Sequence, residues 1–127
     1  MDLRSINSPE GPRPIGPYSH AILAADLVFC SGMVAVDPAT NKLIEGDMAT
    51  QTRRALDNLA ASLLAAGSDL AHVVKTTVFL VDLTDFRAMN ETYAQRFGDH
   101  KPARSTIQVA GLPLGARIEI ECIAVRK

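Results

Sequence analysis

The amino-acid sequence predicts one α/β (α+β) domain in which two helices pack on one face of a mixed β-sheet. Apolar segments typical of strands stand before, between and after two amphipathic helical segments. This order implies two strand–helix–strand units. The chain has 127 residues, enough for one domain with a sizeable core. We therefore treat residues 1–127 as a single domain, with residues 1–17 as an extended N-terminal arm.

The first quarter of the chain predicts this arm followed by strands. Four prolines within residues 5–17 exclude a helix there. Two apolar runs, Ala21–Ala25 and Leu27–Val36, predict strands, with Gly32 at a bulge or a close backbone approach. A turn follows, and Lys42–Ile44 predicts a short strand beyond it.

The first helix is predicted from about Asp47 to Ala66. Asp47 is a suitable N-cap, and Gly67 is a suitable residue to end the helix. Apolar or buried-type residues recur at steps of three and four, as one helix face requires. They are Ala49, Thr52, Leu56, Leu59 and Leu63.

The second half predicts a strand, a helix and two more strands. Val73–Val81 is rich in Val, Thr and Phe and predicts a strand. A helix is expected from about Asp85 to Phe97, with Thr84 as its cap and Gly98 as its stop. Its buried face holds Phe86, Met89, Asn90, Tyr93 and Phe97.

The two closing strands are predicted over Arg104–Leu112 and Arg117–Val125. Alternation places Arg104 on one strand face together with Thr106 and Gln108. In the last strand, Glu119 and Glu121 share a face with Ile123 and Val125. Both helices pack on one face of the sheet, so none remains to cover the apolar residues of the other face. A partner subunit is therefore predicted to cover them.

Composition narrows the function classes. Thirteen basic and fourteen acidic side chains give a formal net charge of −1, without the basic surplus typical of nucleic-acid binding. No apolar run approaches the ~20 residues that cross a bilayer. The N-terminus lacks the basic and apolar segments of a secretory signal. We expect a cytoplasmic protein without a membrane partner.

The cysteines and histidines show no metal-ligand spacing. Cys30 and Cys122 are far apart in the sequence, and each lies in an apolar run. We expect both to be buried and reduced, the alternative being a reactive thiol. For His20, His72 and His100 we expect packing or surface roles.

Several polar residues have a functional and a structural interpretation. Arg104, held by the preceding Pro102, has the planar donor fork that binds a carboxylate, or it forms a surface ion pair. Glu119 and Glu121 are either a proton-transfer pair or solvated glutamates. Tyr18 follows a stiff Gly-Pro segment that could direct its phenol into a cleft.

Six of these segments occur together in one order. They are Ile15–Ser19, Ser31–Gly32, Val74–Leu80, Met89–Tyr93, Pro102–Ser105 and Ile118–Glu121. The set resembles the reactive intermediate deaminase family, also called RidA or YjgF-like and labelled endoribonuclease L-PSP. The resemblance extends over residues 5–126 without a large insertion.

The resemblance implies a chorismate-mutase-like subunit that forms homotrimers, with ligand sites in the clefts between subunits. It also implies hydrolysis of 2-imino or 2-enamino acids, such as 2-aminoacrylate and 2-iminopropanoate, to 2-keto acids and ammonia. Such intermediates leave pyridoxal-phosphate enzymes. The family needs no metal and no cofactor.

The resemblance also assigns site residues. Arg104 matches the arginine that binds the substrate carboxylate, and Glu119 matches the glutamate that places or activates water. Thr106 stands where many members carry cysteine, a position that contributes mainly through its backbone. Other pocket positions are matched by Tyr18, Ser31, Gly32 and Asn90.

Three alternatives from other classes remain open. An endoribonuclease or translation inhibitor would need RNA contact, and the sequence shows no basic stripe with stacking aromatics. Against a non-catalytic small-ligand-binding or holdase trimer, the presence of both Arg104 and Glu119 argues that the site has not been lost. A catabolic enamine deaminase, of the 2-aminomuconate type, would keep the chemistry and change the substrate.

Overall fold

The fold is a mixed sheet with two helices, seen in a computed structural model that describes residues 2–127. Met1, the first residue of the predicted arm, lies outside the described residues. The helices are α1 (Met48–Ala65) and α2 (Phe86–Phe97). The strands are β1 (Leu3–Ile6), β2 (Ala21–Ala24), β3 (Leu27–Met33), β4 (Val36–Asp37), β5 (Lys42–Leu43), β6 (Val73–Leu80), β7 (Ala103–Gln108) and β8 (Ile118–Val125).

Six strands form the main sheet in the order β1-β2-β3-β8-β6-β7. Among the described residues, only β6 and β7 pair in parallel, with α2 as the crossover between them. All other neighbours in this sheet pair antiparallel. The two short strands β4 and β5 form a separate hairpin. The predicted mixed sheet with strand–helix–strand units is therefore confirmed.

The core lies between α1 and the centre of the sheet. Asp47 caps α1 by accepting a hydrogen bond from the Thr50 backbone N–H at 2.9 Å. The predicted stripe of α1 then buries Leu56, Leu59 and Leu63 completely. Burial of one such side chain stabilises the fold by roughly 1.5–3 kcal/mol, so this stripe holds α1 against β3 and β8.

Two local predictions were wrong, and one strand was missed. Thr84 does not cap α2; it lies in a 3₁₀ turn, where its backbone N–H donates to Asp82 at 2.9 Å. The strand β7 ends at Gln108 rather than Leu112, because Gln108 pairs with Leu80, the last residue of β6. Residues 3–6, which gave no strand signal, form an edge strand on β2.

In the described part of the chain, no helix packs on the face of the sheet opposite α1 and α2. Three large apolar side chains on it are at least 40% exposed: Leu27, Phe29 and Ile107. We call this side the open face. Among residues 2–127, neither helix has the length and apolar content that crossing a membrane requires.

Candidate active site

A cleft of about 400 Å³ opens beside the irregular end of β3. Five candidate site residues from the sequence line it: Tyr18, Ser31, Gly32, Glu119 and Glu121. Apolar side chains such as Met33, Val34 and Leu114 also line it. An apolar cleft with a few polar groups on one wall is the usual form of a small-molecule site.

Gly32 lies directly against the carboxyl group of Glu119. The register between β3 and β8 shifts between Cys30 and Met33, which is the bulge predicted at Gly32. A Cβ atom placed on Gly32 would lie 2.7 Å from both Cδ and Oε2 of Glu119. The absence of a side chain at Gly32 therefore leaves the space that the Glu119 carboxyl group occupies.

Glu119 is a carboxyl group in a partly apolar setting. It is half-buried on β8, between the fully buried Ile118 and Ile120 that face the helices. Burial, with a smaller contribution from the charge of Glu121, raises the pKa of Glu119 above its usual 4.5. A carboxyl group with a raised pKa can hold a proton closer to neutral pH and pass it to a ligand.

The wall that carries Tyr18 is held in place by buried hydrogen bonds. His20 is 2% exposed. Its Nδ1 accepts from the Ser8 backbone N–H at 2.8 Å, and its Nε2 donates to the Pro12 carbonyl at 2.6 Å. Ser31 adds a bond from its hydroxyl to the Ser19 carbonyl at 2.6 Å. The packing role expected for His20 is confirmed.

A buried amide on α1 fixes another wall. The Asn58 side chain, 1% exposed, donates to the carbonyl oxygens of Val34 at 3.0 Å and Val36 at 2.8 Å. Among the described residues its Oδ1 atom has no hydrogen-bond partner. Asn58 was not among the residues predicted from the sequence, because an Asn within a helix gives no local sign of what it contacts.

Arg104 does not lie in this cleft; it lies on the other side of the sheet. Its partner across the β6–β7 ladder is Thr76, whose buried hydroxyl is 2.7 Å from the Tyr93 hydroxyl on α2. Its guanidinium group stacks over the Tyr93 ring at 4.7 Å and the Phe86 ring at 5.6 Å. Arg104 is therefore on the helix-facing side.

Within residues 2–127, no carboxylate pairs with the guanidinium of Arg104. None of the ion pairs found among residues 2–127 includes Arg104. Among these residues, Arg104 therefore does not form the surface ion pair that was its alternative interpretation. Stacking on two aromatic rings holds the planar group while leaving its N–H donors available.

Asn90 and Thr106 belong with Arg104 rather than with the cleft. Asn90 is half-buried on α2, four residues after Phe86 and three before Tyr93, so it shares their helix face. Thr106 lies two residues after Arg104 on the same strand face, and its buried hydroxyl has no partner among the described residues. The predicted site residues thus form two groups, one that lines the cleft and one, with Arg104, on the helix-facing side of the sheet.

One cleft residue was missed as a functional candidate. Leu114 adopts a left-handed backbone with φ of 61° and is 53% exposed while lining the cleft. Such a conformation is costly for a residue with a side chain and is more frequent at functional sites. The available signal in the sequence was a leucine between Pro113 and Gly115, two residue types that favour turns.

Comparison with known proteins identifies the relatives of this chain. The family model described as Endoribonuclease L-PSP matches residues 8–126. The human protein named 2-iminobutanoate/2-iminopropanoate deaminase is 45% identical over 123 residues, which cover 97% of this chain and 90% of that protein. The Arabidopsis thaliana protein named Reactive Intermediate Deaminase A, chloroplastic, is 49% identical over 119 residues, covering 94% and 64% of the two chains.

A solved structure has the same fold. The crystal structure of Escherichia coli TdcF with bound serine superposes with a TM-score of 0.92 at 40% identity. The match covers 98% of this chain and 99% of TdcF.

Proposed function

Because this chain belongs to the endoribonuclease L-PSP family, which includes the RidA and YjgF proteins, we propose that it is a deaminase. Its substrates are 2-imino or 2-enamino acids, such as 2-iminopropanoate, and its products are 2-keto acids and ammonia. The relatives named as deaminases of such imines support this choice. The proposed location is the cytoplasm.

The observation that carries the proposal is the division of polar groups between the two sides of the sheet. Glu119 pairs with Phe79 on the open face, while Arg104 pairs with Thr76 on the helix-facing side. A small molecule cannot contact both groups within one chain. Both groups can reach one molecule only if the Arg104 side of one subunit meets the cleft of another.

The open face supports assembly into a homotrimer with shared sites. It carries exposed Leu27, Phe29 and Ile107, and a second pocket of about 260 Å³ is lined in part by Phe29 and Glu121. Apolar side chains on a sheet face are normally covered. Packing of this face against a neighbour places the partner's surface next to Glu119, which lies on the same face.

The proposed reaction uses Arg104, Glu119 and one water molecule, and it uses no cofactor. Arg104 of one subunit binds the substrate carboxylate through two parallel hydrogen bonds. This fixes the imine carbon beside Glu119 of the neighbour, and such orientation contributes several kcal/mol to lowering the barrier. Glu119 donates its proton to the imine nitrogen while water attacks the carbon. The resulting carboxylate accepts a proton from that water, which leaves a hydroxyl and an amino group on the same carbon. Glu119 then passes this proton to the amino group and takes the hydroxyl proton, so ammonia leaves as the carbonyl forms.

The activity test is imine hydrolysis with matched arginine variants. An amino-acid dehydratase generates the 2-imino acid, and keto acid or ammonia is followed with and without this protein. Arg104→Ala should lose at least tenfold in kcat/KM, and Arg104→Lys should recover little, because lysine lacks the planar fork. Arg87→Ala is the control, since Arg87 is an exposed arginine whose side chain is 94% accessible. Wild-type turnover by Arg104→Ala would overturn the assigned role.

A complementation experiment tests whether the site is shared between subunits. Arg104→Ala and Glu119→Gln should each be inactive, but mixed oligomers should regain activity at about one quarter of their interfaces. Each regained site takes Glu119 from one variant and Arg104 from the other. Mixing Arg104→Ala with the double variant is the control and should stay inactive. Failure of the first mixture to regain activity, with mixed oligomers present, would contradict a shared site.

A further inference from the structure

Cys30 and Cys122, distant in the sequence, are direct neighbours in the fold. Cys30 on β3 is the partner of Cys122 on β8 in the antiparallel ladder. The Cα atoms of such partners are about 4.5–5.5 Å apart. Disulfides span Cα separations of about 4.4–6.8 Å, so the backbone already has the spacing that a bond between these residues needs.

Both side chains lie on the helix-facing side, within the core. Cys30 is 6% exposed and Cys122 is 3% exposed, and both are free thiols. The pKa of Cys122 is raised mainly by its hydrogen bond with the Cys30 thiol and, as a second cause, by burial. Because the thiolate is the reactive form of cysteine, this pair should react slowly and should exclude bulky reagents.

We propose that Cys30 and Cys122 form a reversible dithiol–disulfide site across the β3–β8 ladder, with a small peroxide as the oxidant. Hydrogen peroxide oxidises one thiol to a sulfenic acid and releases one water. The other thiol attacks that sulfur, the S–S bond forms, and a second water leaves. The two sulfurs together lose two electrons to the peroxide, and the thiol protons end in the two waters. A dithiol reductant returns both cysteines to thiols by thiol–disulfide exchange and is itself oxidised to a disulfide.

The position of the pair gives the bond a structural effect. Cys30 directly precedes the Ser31–Gly32 bulge, and Gly32 contacts Glu119. A disulfide would therefore join the two strands that carry this wall of the cleft. It would also close a long loop in the unfolded chain, which lowers the entropy of the unfolded state and makes the oxidised protein harder to unfold. The proposal does not depend on the deaminase activity.

The test uses the folded wild-type protein with Cys30→Ala and Cys122→Ala as matched controls. The protein is treated with hydrogen peroxide, quenched in denaturant with an alkylating reagent, and mapped by mass spectrometry. The wild type should lose both thiols together, yield a linked Cys30–Cys122 peptide pair, and regain both thiols with dithiothreitol. The oxidised form should also unfold at a higher temperature than the reduced form.

Several outcomes would overturn the proposal. One is a wild-type protein that keeps both thiols, or that carries separate sulfinic acids or intermolecular bonds instead. Another is thiol loss in the wild type that only equals the loss in the two single variants and yields no linked Cys30–Cys122 peptide pair, because each cysteine would then react alone. An unchanged unfolding temperature of the oxidised protein would contradict a bond between the two core strands.

Discussion

Addition of one methyl group at Gly32 should damage catalysis while sparing the fold. In Gly32→Ala the new Cβ atom would lie 2.7 Å from Cδ and Oε2 of Glu119, whereas ordinary contact begins at 3.4 Å. The atoms it meets are the end of a side chain rather than backbone. The Glu119 carboxyl group can therefore move away at little cost in stability.

The size of the effect follows from this forced displacement. A misplacement of about 1 Å in a group that acts on the substrate can lower the rate about 100-fold. The φ angle of Gly32 is not positive, so its backbone lies outside the left-handed region. Alanine at such a position changes the free energy of unfolding by about 1 kcal/mol or less. We therefore expect kcat to fall by roughly 100-fold with a nearly unchanged denaturant midpoint.

The assay is imine hydrolysis, run beside denaturant unfolding of the same samples. Gly111→Ala is the matched control, because a Cβ atom at Gly111 meets nothing within 4 Å. Turnover by Gly32→Ala equal to that of Gly111→Ala would refute the reasoning. A large loss of stability in Gly32→Ala would also refute it, because the strain would then have fallen on the backbone.

Three further predictions test other parts of the structure. Burial raises the pKa of Glu119 above 4.5, so the folded protein keeps this proton where the unfolded chain has released it, and stability falls as pH rises through that range. The Glu119→Gln variant has no ionisable group at this position. Its stability relative to the wild type, measured by urea unfolding, should therefore increase from acid to neutral pH. A stability difference that stays constant with pH would contradict this. Tyr93→Phe leaves the Thr76 hydroxyl without its partner at 2.7 Å and should cost about 1–3 kcal/mol. The ring under Arg104 remains, so turnover should hold; a loss of turnover without a loss of stability would be inconsistent with this. Phe29→Glu, on the open face, should reduce the assembled mass in sedimentation and abolish activity with it, whereas an unchanged mass would count against the proposed interface.

Local signals predicted much of the fold. The α1 boundaries followed from Asp47, Gly67 and a periodic stripe, all of which act within a few residues. The bulge at Gly32 was predicted for the same reason, since a glycine inside an apolar strand indicates close backbone approach. The edge strand over residues 3–6 was missed, because so short a segment becomes a strand only through its pairing with β2.

The arrangement of the candidate site depends on contacts that no local pattern reveals. Alternation grouped Arg104 with Thr106, but only the ladder partner of Arg104, Thr76, shows which side the helices cover. In the same way, Cys30 and Cys122 meet only because β3 and β8 are neighbours. The roles assigned to Arg104 and Glu119 remain predictions that the variants above will test.

The wall of the cleft near Asn58 is held by its main chain and not by its side chains. Asn58 binds the carbonyl oxygens of Val34 and Val36, and a carbonyl oxygen is the same whichever residue bears it. Replacement of the half-buried Val34 by a larger or smaller apolar residue should therefore reshape the cleft while the loop keeps its path. Substitutions at Val34 should thus change which small molecules fit the cleft without disturbing the strands that hold the Glu119 carboxyl group.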